Sequence, residues 1–218
     1  MSRKTREIKK NFKVFCEGDT EYNYIDEMRR QKRLSIALKP LNMKGGGYSN
    51  LGEQVKTDGT TNCLAKFIII DGDRAIAEDG EKKKLRELLE YCILQNRNRR
   101  IPHFLIVNYP DFEYLACLHI RKYKGQNAAQ YIVKELGYKS VDEFKADKKV
   151  YNVLNTNGNS YNLMLSLLKD EFCFVINSFS INKKQYEIKT STVYDWSKLG
   201  VKGSNIHEFF KVINSFNI

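Results

Sequence analysis

The chain has 218 residues, 42% of them hydrophobic, which suits one folded domain, or one with a smaller addition, and excludes a disordered protein. Its longest apolar stretches are of strand length, far below the roughly 20 residues that cross a bilayer, so no transmembrane span is expected. Lysine and arginine number 37 against 26 acids, a formal charge of +11, and a surface that positive gains affinity for DNA or RNA by releasing counterions from phosphates.

The basic excess lies in short clusters such as Arg29–Arg30, Lys82 to Lys84, Arg121–Lys122 and Lys148–Lys149. Solvated helix faces would give the same pattern. No recognition helix or zinc finger accompanies them, so sequence-specific readout is not indicated. The N-terminus is basic but lacks the apolar core and cleavage site of a signal peptide, which predicts a cytoplasmic protein. Cys16, Cys63, Cys92, Cys117 and Cys173 form no CxxC pair and are far apart. With three scattered histidines, that spacing argues against a zinc site.

In chain order, residues 1–11 read as a basic arm. "FKVFC", 12–16, reads as a strand, "EGDT" as a turn, and 20–34 as a helix. "SIALKPLN", 35–42, reads as a strand, placed near an edge by Pro40. "KGGGYSN", 44–50, is a glycine loop that can cradle a phosphate or simply turn; it lacks the GK[ST] of a P-loop. Residues 51–64 read as partly helical. "KFIIID", 66–71, is apolar throughout, as expected of a strand covered on both faces. A helix over 81–96 carries Leu85, Leu88, Leu89 and Cys92 at helical spacing. A strand over 102–108 and a helix over 111–123 follow. This β–α alternation predicts an α/β fold with a mostly parallel sheet between helices over 12–124. From Gly125 the pattern changes to helices with Asn-rich breaks, predicting a helix-rich C-terminal part, 125–218, packed on that core.

Acids gather where the strands end. The first strand gives Glu17, the third Asp71 and Asp73, and the fourth leads to Asp111 and Glu113. In open α/β sheets this is where ligands bind. Residues i and i+2 of an extended segment point the same way, so Asp71 and Asp73 are expected to converge. Like charges held close are costly unless a cation neutralises them, and hard oxygen donors suit Mg²⁺ or Mn²⁺. Glu21 shares its helix face with Tyr24, Ile25 and Met28, which aims it at the sheet near Glu17. An acid in a first turn also serves the helix dipole, and an Asp after a strand also serves turn formation. His119 lies on an apolar stripe and reads as structural. No Ser-His-Asp or Cys-His arrangement is legible.

Three stretches carry a resemblance. "FKVFCEGDTEYNYI", "FIIIDGDR" and "VNYPDFEYLACLHI" resemble the signature blocks of RloB-like proteins: a strand with EGxTExxYF, a strand with DxD, and SNPxFExWLLLHF. "FKADKKVYNVL" and "GSNIHEFFKVI" resemble two later segments of that family. This chain departs from it around Pro110, where Tyr109 and Asp111 stand, and lacks the tryptophan after Glu113. RloB-like proteins are similar to Toprim domains and occur in bacterial anti-phage loci, often beside an AAA-type ATPase. The resemblance implies a Toprim-like fold in which Glu17, Glu21, Asp71 and Asp73 hold Mg²⁺ or Mn²⁺ for phosphodiester cleavage. Glu113 would reach the same site, and Lys149 would stabilise charge on the phosphate. Glu113 as a helix-start acid and Lys149 as half of a solvated pair are the plain alternatives. The rival from another class is a non-catalytic metal- or nucleic-acid-binding partner of an ATPase.

Overall fold

The computed structural model describes residues 11–32, 37–44, 46–98 and 101–216. Four strands alternate with helices: β1 (Asn11–Cys16), α1 (Asp19–Gln31), β2 (Ala37–Asn42), α2 (Gly47–Thr57), β3 (Ala65–Asp71), α3 (Asp73–Ala77), α4 (Asp79–Arg97) and β4 (His103–Tyr109). Helices α5 (Phe112–Leu118), α6 (Ala128–Leu136), α7 (Val141–Ala146), α8 (Val150–Val153) and α9 (Tyr161–Leu167) follow. The hairpin β5 (Val175–Asn182) and β6 (Glu187–Tyr194), the short β7 (Gly203–Ser204) and α10 (Ile206–Asn214) complete the described chain.

The main sheet has the order β2-β1-β3-β4-β7. Strands β1 to β4 are parallel, and β7 runs antiparallel to β4. The fold is α/β with helices on both faces of a mostly parallel sheet, as the alternation predicted. Two sets of side chains explain the two covered faces. Phe67 and Ile69 of β3 point to one core with Tyr24, Phe112 and Phe209, and Ile68 and Ile70 point to the other with Tyr48, Leu85 and Leu89. A side chain of this size contributes about 1.5–3 kcal/mol when fully buried, so the apolar run pins β3 in the middle of the sheet. Lys66, the polar residue of that run, is buried, and its ammonium meets Asp58 at 2.9 Å. Pro40 lies in β2, which is an edge strand.

The C-terminal part departs from the helix-rich expectation. It holds α6 to α10 but also a two-stranded sheet and the strand that closes the β4 side of the main sheet. The covered residues of β5 and β6 mix Asn177, Thr190 and Thr192 with apolar ones, and exposed Ser178, Ser180, Lys189 and Ser191 interrupt them. The apolar pattern is therefore weak there. The C-terminal part shares the main core: Ile132, Phe144, Val150 and Phe209 pack in the same cluster as Val14 and Phe67. The expected basic arm lies outside the described residues except for Asn11, which is buried in β1. The predicted helix over 111–123 stops at Leu118. Among the described residues, no helix is long and apolar enough to cross a membrane.

Candidate metal centre

The strand order creates the site. From β1 the chain crosses to β2 on one side, then returns past β1 to β3 on the other, so the carboxyl ends of β1 and β3 flank the point where the winding reverses. Helices on opposite faces leave a crevice at such a point. Glu17 follows β1 there and Asp71 ends β3. The backbone N–H of Glu17 donates to the Ile69 carbonyl at 3.1 Å, and the N–H of Asp71 donates to Glu17 Oε2 at 3.1 Å. Glu17 is thus tied twice to the end of β3, once through its backbone and once through its carboxylate.

Glu21 enters from the first turn of α1 and is buried, at 3% exposure. Burial pushes its carboxyl up to about 7; a backbone N–H offsets part of this, Glu17 and Glu113 push it further up, and Lys145 pulls it back. Asp71 is raised well above the carboxylate range by burial and then by Glu21, Glu17, Glu113 and Asp111. Burial likewise raises Glu17, Asp111 and Glu113. Each acid thus lies in the field of others. Such crowding favours bound protons or a bound cation.

Asp73 is placed differently from the extended-segment expectation. Gly72 takes a helical conformation, and Asp73 opens α3 as an exposed residue whose Oδ1 accepts the Arg74 N–H at 2.7 Å. A turn needs that conformation after β3, and it carries Asp73 away from the direction of Asp71. Its charge still raises Glu17 and Asp111, so it stands at the rim of the site. A Cβ on Gly72 would sit 3.2 Å from the Tyr109 ring and 3.3 Å from the Asn108 carbonyl, a close approach that explains a glycine between the two aspartates.

The lysine at the acids is Lys145, on α7. Its Nζ lies 3.3 Å from Glu113 Oε1. Burial alone would lower its pKa, but Glu113, Asp71 and Asp111 hold the ammonium above its usual value. Lys149 is exposed beside α8, with its backbone N–H on Asp147 Oδ1 at 2.8 Å. The sequence reading missed Lys145, four residues away in a segment rich in lysine. Asn108, which ends the fourth strand among these polar residues, was given no role by the sequence and is fully buried. Its amide donates to Asp71 Oδ1 at 3.3 Å and its carbonyl oxygen accepts from Ser204 Oγ at 2.9 Å. An uncharged buried residue at a strand end was the available signal. Arg74 also approaches, 3.9 Å from Glu17 Oε1.

The glycine loop behaves as a turn. Gly46 and Gly47 take left-handed angles, φ 87° and 70°, and the N–H of Tyr48 at the start of α2 donates to Glu81 Oε2 at 3.1 Å. A carboxylate already occupies that helix start. Gly45 lies outside the described residues. His119 is fully buried, with Nδ1 at 2.9 Å from the Leu115 carbonyl and Nε2 at 2.9 Å from the Tyr24 hydroxyl, a structural role as expected.

The donor set suits a hard divalent cation: carboxylates from β1, α1, β3 and α5, with no sulfur or imidazole among them. Among the described residues, no three of these acids bring one oxygen each within 4.8 Å of one another. A cation that keeps several waters, as Mg²⁺ does, accommodates donors at that spacing. No protein-family model matches the chain, and no match is found among curated proteins or among solved structures.

Proposed function

We propose that this chain is a divalent-metal-dependent phosphodiesterase acting on nucleic acid, of the Toprim type that its resemblance to RloB-like proteins implies. The observation that carries the reading is the convergence of Glu17, Glu21, Asp71 and Glu113 at the switch point, with every one of their pKa values raised. Natural folds place perturbed carboxylates in a crevice chiefly where they work. Glu17, Glu21 and Asp71 would hold Mg²⁺ or Mn²⁺, with Asp73 at the rim. When bound, the metal supplies charge neutralisation at the phosphoryl oxygens and a more acidic water.

The chain's own residues supply the rest. Glu21, which burial and neighbouring acids push up to about 7 in the metal-free chain, would give up its proton when a cation binds there. Lys145 keeps its proton and faces the acids, so its ammonium can meet negative charge developing on a phosphate. Glu113 fixes that ammonium at 3.3 Å. Asn108 orients Asp71. The +11 charge favours a polyanionic substrate held through its backbone.

The test is cleavage of single- and double-stranded DNA and RNA with Mg²⁺ or Mn²⁺, for the wild type and Glu17→Gln, alone and with any co-purifying ATPase. Metal-dependent cleavage lost in Glu17→Gln supports the nuclease. Absence of cleavage in every condition defeats it and leaves a binding partner of an ATPase as the reading. Anti-phage defence is the setting the resemblance suggests, and it stands or falls with the nuclease.

A further inference from the structure

A second constellation lies in the C-terminal part, away from the acids at the strand ends. Asp170 starts a 3-10 turn, Asp170–Phe172, and Cys173 follows it, with Phe174 between it and β5. His207 sits in the first turn of α10. One ligand atom from each of the three lies within 4.8 Å of the others, and they are the only such group among the described residues. Spacing along the chain concealed this, because 34 positions separate Cys173 from His207.

Three features mark the place as more than an ion pair. Cys173 and His207 are buried, at 3% and 7% exposure, while Asp170 is exposed, so the cluster has a solvent side. His207 Nε2 meets Asp170 Oδ1 at 2.7 Å, and the Ser204 backbone bears on the same ring, so the imidazole is held in place. The thiol of Cys173 makes a weak contact, 3.4 Å to the Lys169 carbonyl. Neighbouring charges are mixed, with Glu208 against Lys198 and Lys211.

We infer that Asp170, Cys173 and His207 form a three-ligand site for a borderline-soft divalent metal of the Zn²⁺ class, open to water at its fourth position. Sulfur, imidazole and carboxylate together select Zn²⁺ or Co²⁺ over Mg²⁺. Binding replaces the Asp170–His207 contact with two metal bonds. The S–H proton of Cys173 leaves to solvent as the thiolate ligates, so no other reactant is needed. The metal would tie the start of β5 to α10. That helix begins beside Asn205, whose Oδ1 accepts the Val107 N–H at 2.9 Å. The site is therefore a clip that holds the C-terminal part on β4.

The experiment is a Co²⁺ titration of the metal-free, reduced full chain, read by thiolate-to-cobalt charge-transfer absorption, with a thermal melt alongside. One equivalent of Co²⁺ should give the band and raise Tm, Zn²⁺ should displace it, and excess Mg²⁺ should not. Cys173→Ser should abolish the band. His207→Ala should weaken binding by about 10- to 100-fold. Glu17→Gln should leave the band intact, which separates this site from the one at the switch point. A wild-type chain that gives no band at saturating Co²⁺ overturns the inference whether or not the variants fold. A band that persists in Cys173→Ser overturns it as well.

Discussion

Asn108 stands between Asp71 and Ser204: its amide nitrogen donates to the Asp71 carboxylate at 3.3 Å, and its oxygen accepts the Ser204 hydroxyl at 2.9 Å. The pair Asp71–Asn108 lies at matched register on adjacent strands. One neutral side chain thus sets the orientation of the acid that ends β3. Asn108→Ala should leave the buried Ser204 O–H without an acceptor, its oxygen keeping only the Ile206 N–H, and cost about 1–3 kcal/mol, measured by urea unfolding. Metal affinity should fall with it. Asn108→Asp should weaken the metal-free fold further, because it adds a fifth charge to the crevice. Equal stability of Asn108→Asp and wild type would mean that the acids do not share one field.

The two aspartates should behave differently. Asp71→Asn removes a crowded buried charge, so the metal-free protein should become at least as stable while losing divalent-cation affinity. Asp73→Asn changes an exposed rim residue and should weaken affinity less. Calorimetric titration with Mg²⁺ and Mn²⁺ checks both. Equal losses would return Asp73 to the inner set.

Stability should depend on pH in a direction set by the raised acids. Glu21 moves from 4.5 to about 7, so the fold prefers its protonated form. The associated stability is fully present below about pH 4.5 and is lost as pH rises through 7, amounting to about 3 kcal/mol. Glu208, buried in the C-terminal part and also raised to about 7, titrates in the same window. The metal-free Tm should therefore drop between pH 5 and 8. Glu21→Gln should remove its share of the drop and leave that of Glu208. Mg²⁺ should raise Tm at the upper end of that range and much less at the lower. A metal effect independent of pH would dissociate Glu21 from the cation.

Lys145 and Lys149 offer a matched comparison. Lys145→Met removes the cation that faces Glu113 and Asp71 and should cut cleavage by about 100-fold or more, with nucleic-acid affinity little changed. Lys149→Ala should leave cleavage intact and stability within about 0.5 kcal/mol. The reverse result would restore the lysine that the sequence motif favoured.

Binding of nucleic acid should weaken steeply as salt rises, with log K falling by about 0.9 per phosphate contact for duplex DNA. Anisotropy titrations across a salt series give the slope. A flat response would assign the +11 charge to solubility alone.

What could be read from the sequence followed burial. β1, β3 and β4 are covered on both faces, so their apolar runs were unambiguous and their ends located Glu17 and Asp71. The order of the strands, which turns those ends into a crevice, was not written in any local pattern. The hairpin β5–β6 was missed because its covered face carries Asn177 and Thr192, which bond each other at 2.8 Å, where an apolar pair would have signalled a strand. Lys145 was missed for a different reason. Which of several lysines in one segment meets an acid depends on how α7 packs against α1, a tertiary fact. Cys173 and His207 are joined only by the fold.

The segment 203–216 supplies β7, the Ser204 hydroxyl on Asn108, the Asn205 bond to β4, and Phe209 and Phe210 for the core. On the ribosome it emerges after every acid of the crevice. The nascent chain therefore displays Glu17, Glu21 and Asp71 long before it has the parts that orient them. Since N-terminal regions begin to fold during synthesis, a growing chain passes through a stage with a sheet but an unfinished centre. Any chemistry that needs an oriented Asp71 would thus wait until translation has passed residue 204, by topology alone.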